Sequence, residues 1–383
     1  MSNQVAIVGI GQTKYAESRN DLALTELIFE ASRKALEDAG LDRKDLDTVV
    51  LACQDLVDGR SIANQTAVGA SGAYLKDEIR VCNDGAYAVV LGCLQILAGR
   101  GQRTLVVSWS KCSETSINML TNLWFDPFYN RPIALNEVTA LALQAASYMQ
   151  RYGISEEQAA KVSVRSLLNA YNNPYAHIKA RITTEDVLKS KVVSWPLRIL
   201  NLPPESDGAC AIVLVSGSEA RKISGQPAWI RGIGWNVDTY YLGDRDLTFI
   251  KSLALAARQA YKMAGIDDPR KQIDVAEVHT KSSYSELMIY EALGFCGRGE
   301  GGKFVDEGIP EMGGELPVNP SGGTLSSNPY VASGLIRVAE SALQVMGRNE
   351  KKQVPDARVA LAHATFGPCM QGNCVLILGK EPR

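Results

Sequence analysis

The sequence predicts an α/β fold made of two similar halves. Three observations predict it. The chain of 383 residues is long enough for two to three domains of about 150 residues. Apolar residues make up 46% of it, and its two halves repeat one order of strands and helices. Continuous apolar strands between amphipathic helices are typical of sheets covered on both faces. We therefore expect two helix-covered sheets that face each other.

Each half begins with a short apolar strand that runs into Gly-Ile-Gly. Residues 5–11 (VAIVGIG) are echoed by residues 228–234 (AWIRGIG). A helix follows in each half, over 24–41 and 248–266, because apolar residues recur at i, i+3 and i+4. A glycine ends both helices, as is common at helix C-termini. The shared order supports an internal duplication.

The remaining elements repeat in the same order. The next predicted strands are 47–51 in the first half and 274–278 in the second. A helix then begins after Cys82 in the first half and after Asn328 in the second. Two further strands follow in each half: 104–108 corresponds to 358–362, and 210–216 corresponds to 374–379. Each half is thus predicted as a β-α-β-α-β-β unit. We place the first half at residues 1–225 and the second at 226–383.

An insertion of about a hundred residues, about 112–205, has no match in the second half. It is rich in aromatic residues, Asn and Pro, as in LWFDPFYN (123–130) and NAYNNPY (169–175). A predicted helix over 140–152 lies within it. Composition alone leaves two interpretations open: a lid over a site between the halves, or an ordinary packed excursion.

Composition and charge exclude several classes of function. The 40 basic and 42 acidic residues give a net charge of −2, so no overall field draws the chain to nucleic acid or to an anionic membrane. No apolar run approaches the roughly 18 residues of a membrane span. The first residues lack a signal-peptide pattern, and we expect a cytoplasmic protein. Eight cysteines without a CxxC pair and three histidines predict neither a disulfide framework nor a metal site.

Two residues have a pattern that favours chemistry. Cys82 precedes a predicted helix, whose N-terminal N–H groups favour an anion and so suit a nucleophilic thiol. Asp84 in the first turn opposes that effect or simply caps the helix. His279 ends a predicted strand, where an imidazole serves as acid, base or hydrogen-bond donor. The alternatives are a buried structural cysteine and a histidine that caps its own loop.

A second group of candidates lies in glycine-containing loops. His363 ends a predicted strand, and Gly367, Cys369 and Gly372 follow it. The run Asn319-Pro-Ser-Gly-Gly323 contains Gly322 and is typical of a tight turn, or of a backbone that approaches a ligand closely.

Four segments resemble the thiolase superfamily, in its sterol-carrier-protein-type and archaeal-type branch. They are residues 81–101, 194–214, 277–308 and 319–334. The resemblance implies a five-layer αβαβα thiolase fold. It implies that Cys82 accepts the acyl group and that His279 helps to hold the oxyanion of the thioester. It also implies that His363 or Cys369 supplies the second acid or base, with Gly322, Gly323, Gly367 and Gly372 beside the coenzyme A substrate.

One departure from the family pattern bears on the mechanism. The family's Gly-His-Pro motif, whose histidine activates the nucleophile, reads Ser327-Asn328-Pro329 here. Asn328 can donate to an oxyanion but cannot take a thiol proton. We therefore hypothesise that His279, or the helix dipole with a water molecule, replaces the base.

The resemblance implies cleavage of a β-oxoacyl-CoA, with coenzyme A as co-substrate and no permanently bound cofactor or metal. We expect a bulky or aromatic acyl group, such as that of benzoylsuccinyl-CoA, and a homodimer core. A small partner subunit with a zinc ribbon and an OB-fold is also implied. Two alternatives stay open: a carbon–carbon lyase of the same fold, which Tyr330 favours, and a non-catalytic acyl-CoA-binding scaffold.

Overall fold

The computed structural model describes residues 4–383. Its strands are β1 (Val5–Gln12), β2 (Thr48–Ala52), β3 (Asp77–Val81), β4 (Arg103–Lys111), β5 (Val192–Ser194), β6 (Leu197–Arg198), β7 (Asp207–Ser216), β8 (Ala228–Val237), β9 (Val275–Glu277), β10 (Val359–Phe366) and β11 (Gly372–Gly379). Its helices are α1 (Leu24–Ala39), α2 (Ala63–Ser71), α3 (Gly85–Leu97), α4 (Ile117–Asn122), α5 (Glu137–Tyr152), α6 (Glu156–Asn169), α7 (Thr184–Lys189), α8 (Gly217–Ile223), α9 (Lys251–Ala264), α10 (Pro269–Gln272), α11 (Ser283–Ala292), α12 (Gly301–Asp306), α13 (Gly323–Ser326) and α14 (Ser333–Met346). Within the described part of the chain, no helix is both long and apolar enough to cross a membrane.

The two halves build corresponding sheets that meet edge to edge. The strand order is β3-β2-β4-β7-β1-β8-β11-β10-β9. In the first half β2 is parallel to β3 and β4, and β7 is antiparallel to β4 and β1. In the second half β9 is parallel to β10, and β11 is antiparallel to β10 and β8. The halves join where β1 pairs with β8 at Ala6–Trp229 and Ile7–Ala228.

The layers are those that the sequence predicts. Helices α1 and α2 cover the outer face of the first-half sheet. Helices α3 and α14 pack against each other between the two sheets, and α9 and α11 cover the outer face of the second-half sheet. The predicted five-layer fold is confirmed, and its middle helical layer carries the start of α3 to the seam between the halves.

Close helix–strand packing explains why Gly-Ile-Gly occurs twice. A Cβ atom at Gly11 would lie 2.1 Å from the carbonyl oxygen of Ala31 in α1. One at Gly234 would lie 2.0 Å from the carbonyl oxygen of Ala256 in α9. Any side chain would push the helix away from its strand, so both halves need glycine at this position.

The first half has a strand that the sequence did not predict. β3 lies at the edge of the sheet, and its sequence DEIRV alternates charged and apolar residues with partly exposed side chains. The equivalent place in the second half holds Val318, which forms a single parallel bridge to Ala276. An edge strand needs no continuous apolar run, so the pattern used for the central strands did not reveal it.

The segment between β4 and β7 packs on the second half. The side-chain amide of Asn169 donates to the carbonyl oxygen of Asn319 at 3.1 Å, and that of Asn173 donates to Ser321 at 2.9 Å. Buried Arg165 in α6 forms an ion pair with Glu286 in α11. The segment is therefore tied to the same loops that carry the second half's candidate residues.

Candidate active site

Cys82 lies in the turn between β3 and α3, with its side chain exposed. Asp84 is the N-cap of α3, and its carboxylate accepts a hydrogen bond from the backbone N–H of Ala86 at 2.9 Å. The guanidinium of Arg80 forms an ion pair with Asp55 at 2.5 Å, and its charge interacts electrostatically with Cys82 two residues along the chain. A thiolate at Cys82 would thus have a positive charge beside it.

The other seven cysteines are poorer candidates for a nucleophile. Six are buried and Cys296 is partly buried, so Cys82 is the one exposed thiol of the eight. Burial raises the pKa of all seven thiols, to about 12 for Cys93, Cys112 and Cys369. They stay protonated near neutral pH and behave as small apolar side chains.

Asp84 joins the two halves at the seam. One carboxylate oxygen accepts a hydrogen bond from the backbone N–H of Gly334 at 3.0 Å, and it lies 3.4 Å from Nδ1 of His279. Asp84 is fully buried, which raises its pKa to about 7 even though two backbone N–H groups favour the charged form. A carboxyl group that titrates near neutral pH between the halves can hold or release a proton at this point.

His279 follows β9 and is buried beside Asp84. Neither of its ring nitrogens has a hydrogen-bond partner within residues 4–383. Burial lowers its pKa well below the ordinary value, and the positive charges of Lys281 and Arg337 lower it further. His279 is therefore a neutral imidazole whose nitrogens can meet a substrate or a proton.

His363 belongs to the same cluster. The carbonyl oxygen of His363 accepts a hydrogen bond from the backbone N–H of His279 at 3.2 Å. Its Nε2 is 2.9 Å from Oδ1 of Asn373, and burial lowers its pKa to about 3. The structure thus brings Asp84, His279 and His363 together, whereas Cys82 lies two residues before Asp84 with its side chain exposed.

Asn328 and Lys281, which follows His279 by two residues, line a pocket whose lining does not include Cys82 or the three residues of the cluster. Oδ1 of Asn328 accepts a hydrogen bond from the Ser333 hydroxyl at 2.7 Å. The pocket has a volume of about 270 Å³ and an apolar wall supplied by the segment between β4 and β7. The residues of that wall are Ile117, Val138, Leu141, Val193, Ile199, Leu202, Pro203 and Pro204.

One side of the pocket is polar. The Lys281 ammonium lies 3.1 Å from Oε1 of Glu137 and 4.3 Å from the centre of the Tyr330 ring. The Tyr330 hydroxyl donates to Oε2 of Glu137 at 3.0 Å. Glu205 lines the same pocket, and burial raises its pKa, with a smaller effect from Glu137. The pocket thus has one apolar wall and one charged side.

The structure places the remaining candidates apart from the cluster or explains them by packing. The Cys369 thiol is buried under the insertion and donates to the carbonyl oxygen of Ala140 at 3.2 Å. Close neighbours occupy the space that a Cβ atom would need at each of the four predicted binding glycines: Gly322, Gly323, Gly367 and Gly372. Packing accounts for these glycines, and their contact with coenzyme A stays a prediction.

Sequence reasoning missed the acidic and basic lining of the pocket. Lys281 follows His279 by two residues, where the sequence departs from the family pattern, and no spacing or charge pattern predicts a role for it. Glu137 begins the insertion helix α5, far from the second half in sequence. The sequence predicts Asp84 only as a helix cap or as a charge that opposes a thiolate at Cys82. The neighbours of Asp84 come from the other half of the chain, and local spacing does not show them.

Family models match both halves of the chain. A thiolase N-terminal domain matches residues 5–218, and a thiolase C-terminal domain-like model matches residues 234–380. The chain therefore belongs to the thiolase family, and it is an acyl-CoA acyltransferase.

Among its relatives is an acetyl-CoA acetyltransferase of Methanothermobacter thermautotrophicus, 32% identical over 95% of this chain and 96% of the relative. The benzoylsuccinyl-CoA thiolase subunit BbsB of Thauera aromatica is 28% identical over 97% of both chains. A solved structure described as the Ltp2-ChsH2(DUF35) aldolase has a TM-score of 0.85 and 27% identity, covering 99% of this chain and 98% of that one. Human mitochondrial 3-ketoacyl-CoA thiolase, at 16% identity, a TM-score of 0.74 and 99% coverage of both chains, shows the same fold.

Proposed function

We propose that this protein cleaves a β-oxoacyl-CoA with coenzyme A through an acyl-enzyme on Cys82. The observation that carries the proposal is the position of Cys82, the one exposed thiol, two residues before a carboxyl group that contacts His279 across the seam. Two residues of chain span at most about 7 Å. The backbone of Cys82 is therefore close to the Asp84, His279 and His363 cluster.

The reaction divides into two acyl transfers. The Cys82 thiolate attacks the keto carbon, the carbon–carbon bond breaks, and its electron pair leaves as the enolate of an acyl-CoA, which takes up a proton. Coenzyme A then attacks the thioester and releases Cys82 as a thiol. N–H donors of Asn328, of the backbone and of His279 once its Nε2 carries a proton are suited to stabilise the negative oxygens.

The pocket supports a bulky acyl group with a polar part. Its apolar wall suits an aliphatic or aromatic moiety, and the Lys281, Glu137 and Tyr330 side offers a cation and hydrogen-bonding groups. The similarity to BbsB over nearly the whole chain favours a substrate of the benzoylsuccinyl-CoA type.

Comparing turnover of two β-oxoacyl-CoA substrates tests this proposal. We expect thiolysis of benzoylsuccinyl-CoA that requires free coenzyme A and exceeds thiolysis of acetoacetyl-CoA. Equal or faster turnover of acetoacetyl-CoA would reject the bulky substrate but keep the thiolase. Absence of thiolysis with both, in the presence of the partner described below, would contradict the proposal.

A second candidate reaction is carbon–carbon cleavage of a β-hydroxyacyl-CoA without coenzyme A. The specific observation that favours it is the buried Tyr330 hydroxyl beside Glu137, in a chain 27% identical to a protein described as an aldolase. In that case Tyr330→Phe abolishes cleavage and Cys82→Ser does not. The thiolase proposal predicts the opposite: Cys82→Ser abolishes cleavage and Tyr330→Phe does not.

The proposal includes two kinds of partner. The exposed edge strand β3 leads directly into Cys82 and is suited to pair with a second copy of the chain. A small zinc-ribbon and OB-fold subunit is supported by the descriptions of BbsB as a subunit and of the aldolase as a complex. Copurification with such a subunit encoded nearby, and a gain in turnover when it is added, test this part.

A further inference from the structure

The asparagine in place of the family's activating histidine leaves the site without its usual base. Asp84 lies at the seam and takes no part in the two acyl transfers described above. It is buried, it caps α3, and it contacts backbone or side-chain atoms of the other half at two points, Gly334 and His279. The cap explains only its bond to Ala86. The approach to His279 needs a separate explanation.

The arrangement is suited to orient an imidazole. Asp84 Oδ2 and His279 Nδ1 are 3.4 Å apart, and hydrogen bonds of this kind often tighten only when substrate binds. A proton on Nδ1 directed at Asp84 leaves the lone pair on Nε2, and Nε2 has no partner within residues 4–383. A carboxylate holding one imidazole nitrogen while the other accepts a proton is the logic of nucleophile–histidine–acid triads.

The geometry points to Asp84 as a positioning residue that makes His279 the missing base. This inference rests on the proposed function. Asp84 accepts a hydrogen bond from Nδ1–H of His279. When the exposed Cys82 side chain turns toward His279, Nε2 takes the proton from the thiol as the S–H bond breaks. The thiolate then attacks the keto carbon. The imidazolium returns the Nε2 proton to the carbon of the departing enolate, so protons and electron pairs balance over the step.

The surroundings of Asp84 fit a group that changes charge near neutral pH. Burial holds its pKa at about 7. The titratable and charged groups that act on it or on His279 are Lys281, His279 and His363 from the second-half loops, Tyr87 in α3, Cys374 in β11 and Arg337 in α14. The positive charge of Lys281 favours the carboxylate form of Asp84. That carboxylate offsets the positive charges of Lys281 and Arg337, which disfavour an imidazolium at His279.

The test is Asp84→Asn, because asparagine is as good an N-cap as aspartate and its one side-chain oxygen can keep the bond from Ala86, although the bond from Gly334 is lost. We expect kcat/KM for thiolysis to fall roughly 100-fold through kcat, since general acid–base catalysis contributes 10²–10⁴-fold. The acidic limb of the pH–rate profile, near pH 7 in the wild type, is expected to disappear. His279→Ala is expected to lose as much, and the double variant no more than either single one.

Asp58→Asn is the matched control. Asp58 is also a buried carboxyl group whose pKa burial raises to about 7, and it accepts a hydrogen bond from the Trp109 indole at 3.0 Å. We expect its kcat/KM to stay within twofold of the wild type. An Asp84→Asn enzyme with wild-type kcat/KM and pH profile would overturn the inference and leave Asp84 as a helix cap.

Alkylation of Cys82 by iodoacetamide separates this inference from the proposed function. Peptide mass spectrometry follows the rate at Cys82 against pH in the wild type and in Asp84→Asn. A slower rate in Asp84→Asn near pH 7, in a protein that shows no thiolysis at all, would sustain the Asp84–His279 pair and reject the thiolase. The other outcome is thiolysis that depends on Cys82, with the same alkylation rate and the same turnover in Asp84→Asn as in the wild type. That result would sustain the thiolase and reject the Asp84–His279 pair.

Discussion

At the scale of single residues, burial sets the charge states of the titratable groups in the site. Burial raises the pKa of the Asp84 carboxyl group and lowers that of the His279 and His363 imidazoles. Asp84 therefore exchanges between its acid and carboxylate forms near neutral pH, whereas burial keeps both imidazoles uncharged. Lys281 and Arg337 bring positive charge to this cluster, and the histidines themselves remain neutral near pH 7.

The raised pKa of Asp84 makes a prediction about stability. Because the folded-state pKa of about 7 exceeds the unfolded value of about 4, the group's contribution to the free energy of unfolding is complete below pH 4. It is lost as the pH rises toward and through 7. The wild type loses this contribution as the pH rises, and Asp84→Asn does not. We therefore expect the difference in free energy of unfolding to shift in favour of the variant from pH 5 to pH 8.

Urea unfolding midpoints at the two pH values measure this shift. Comparing the two proteins at each pH cancels the opposite effect of His363 and His279, whose lowered pKa values make the folded state less stable in acid. A difference between variant and wild type that stays constant from pH 5 to pH 8 would contradict the raised pKa.

At the scale of elements, the segment between β4 and β7 is held by a buried polar network. Arg165 of α6 pairs with Glu286 and donates to the Tyr290 hydroxyl at 2.9 Å. Asn319, in the loop before α13, donates to the same Glu286 at 3.0 Å. The network joins the insertion to the loops that carry His279 and Asn328.

Removing one charge of this network is expected to be costly. Arg165→Met leaves the Glu286 carboxylate buried without its cation, and we expect a loss of about 3–5 kcal/mol in the free energy of unfolding. The double variant Arg165→Met with Glu286→Gln is expected to recover much of that loss. Denaturation in urea measures both, and a single variant as stable as the wild type would contradict the role of the pair.

The elements also show how far the sequence predicts the structure. Apolar runs and helical spacing predicted the central strands and α1, α3, α5, α9 and α14, because these elements bury continuous faces. They missed β3, which is a partly exposed edge strand. The positions of Cys82 before a helix and of His279 after a strand predict them as candidates. No such pattern predicts Lys281 and Glu137, because the contact between them joins distant parts of the chain.

At the scale of the whole molecule, the edge strand β3 predicts an assembly. Its outer side has no pairing strand within residues 4–383, and Ile79 is 40% exposed, with the more exposed Tyr74 and Leu75 just before it. Unpaired strand edges with exposed apolar residues favour pairing with another chain. A second copy placed there would lie beside Cys82.

Ile79→Lys tests that assembly. A charged residue on an edge strand opposes pairing, so we expect the variant to behave as a monomer in light scattering where the wild type is a dimer. Thiolysis should also fall when the dimer is lost, because the second copy would no longer cover the Cys82 turn. Glu78→Gln, a neighbouring change without added positive charge, is the control. A dimeric Ile79→Lys protein would contradict pairing through β3.

The most direct test of the account is a search for the acyl group on Cys82. The protein is mixed with a β-oxoacyl-CoA in the absence of free coenzyme A, quenched in acid and digested for mass spectrometry. The account predicts a thioester mass on the Cys82 peptide that disappears when coenzyme A is added. It also predicts no adduct in Cys82→Ser and a normal adduct in Cys296→Ser. Substrate cleavage with Cys82 unmodified throughout, or undiminished in Cys82→Ser, would contradict it.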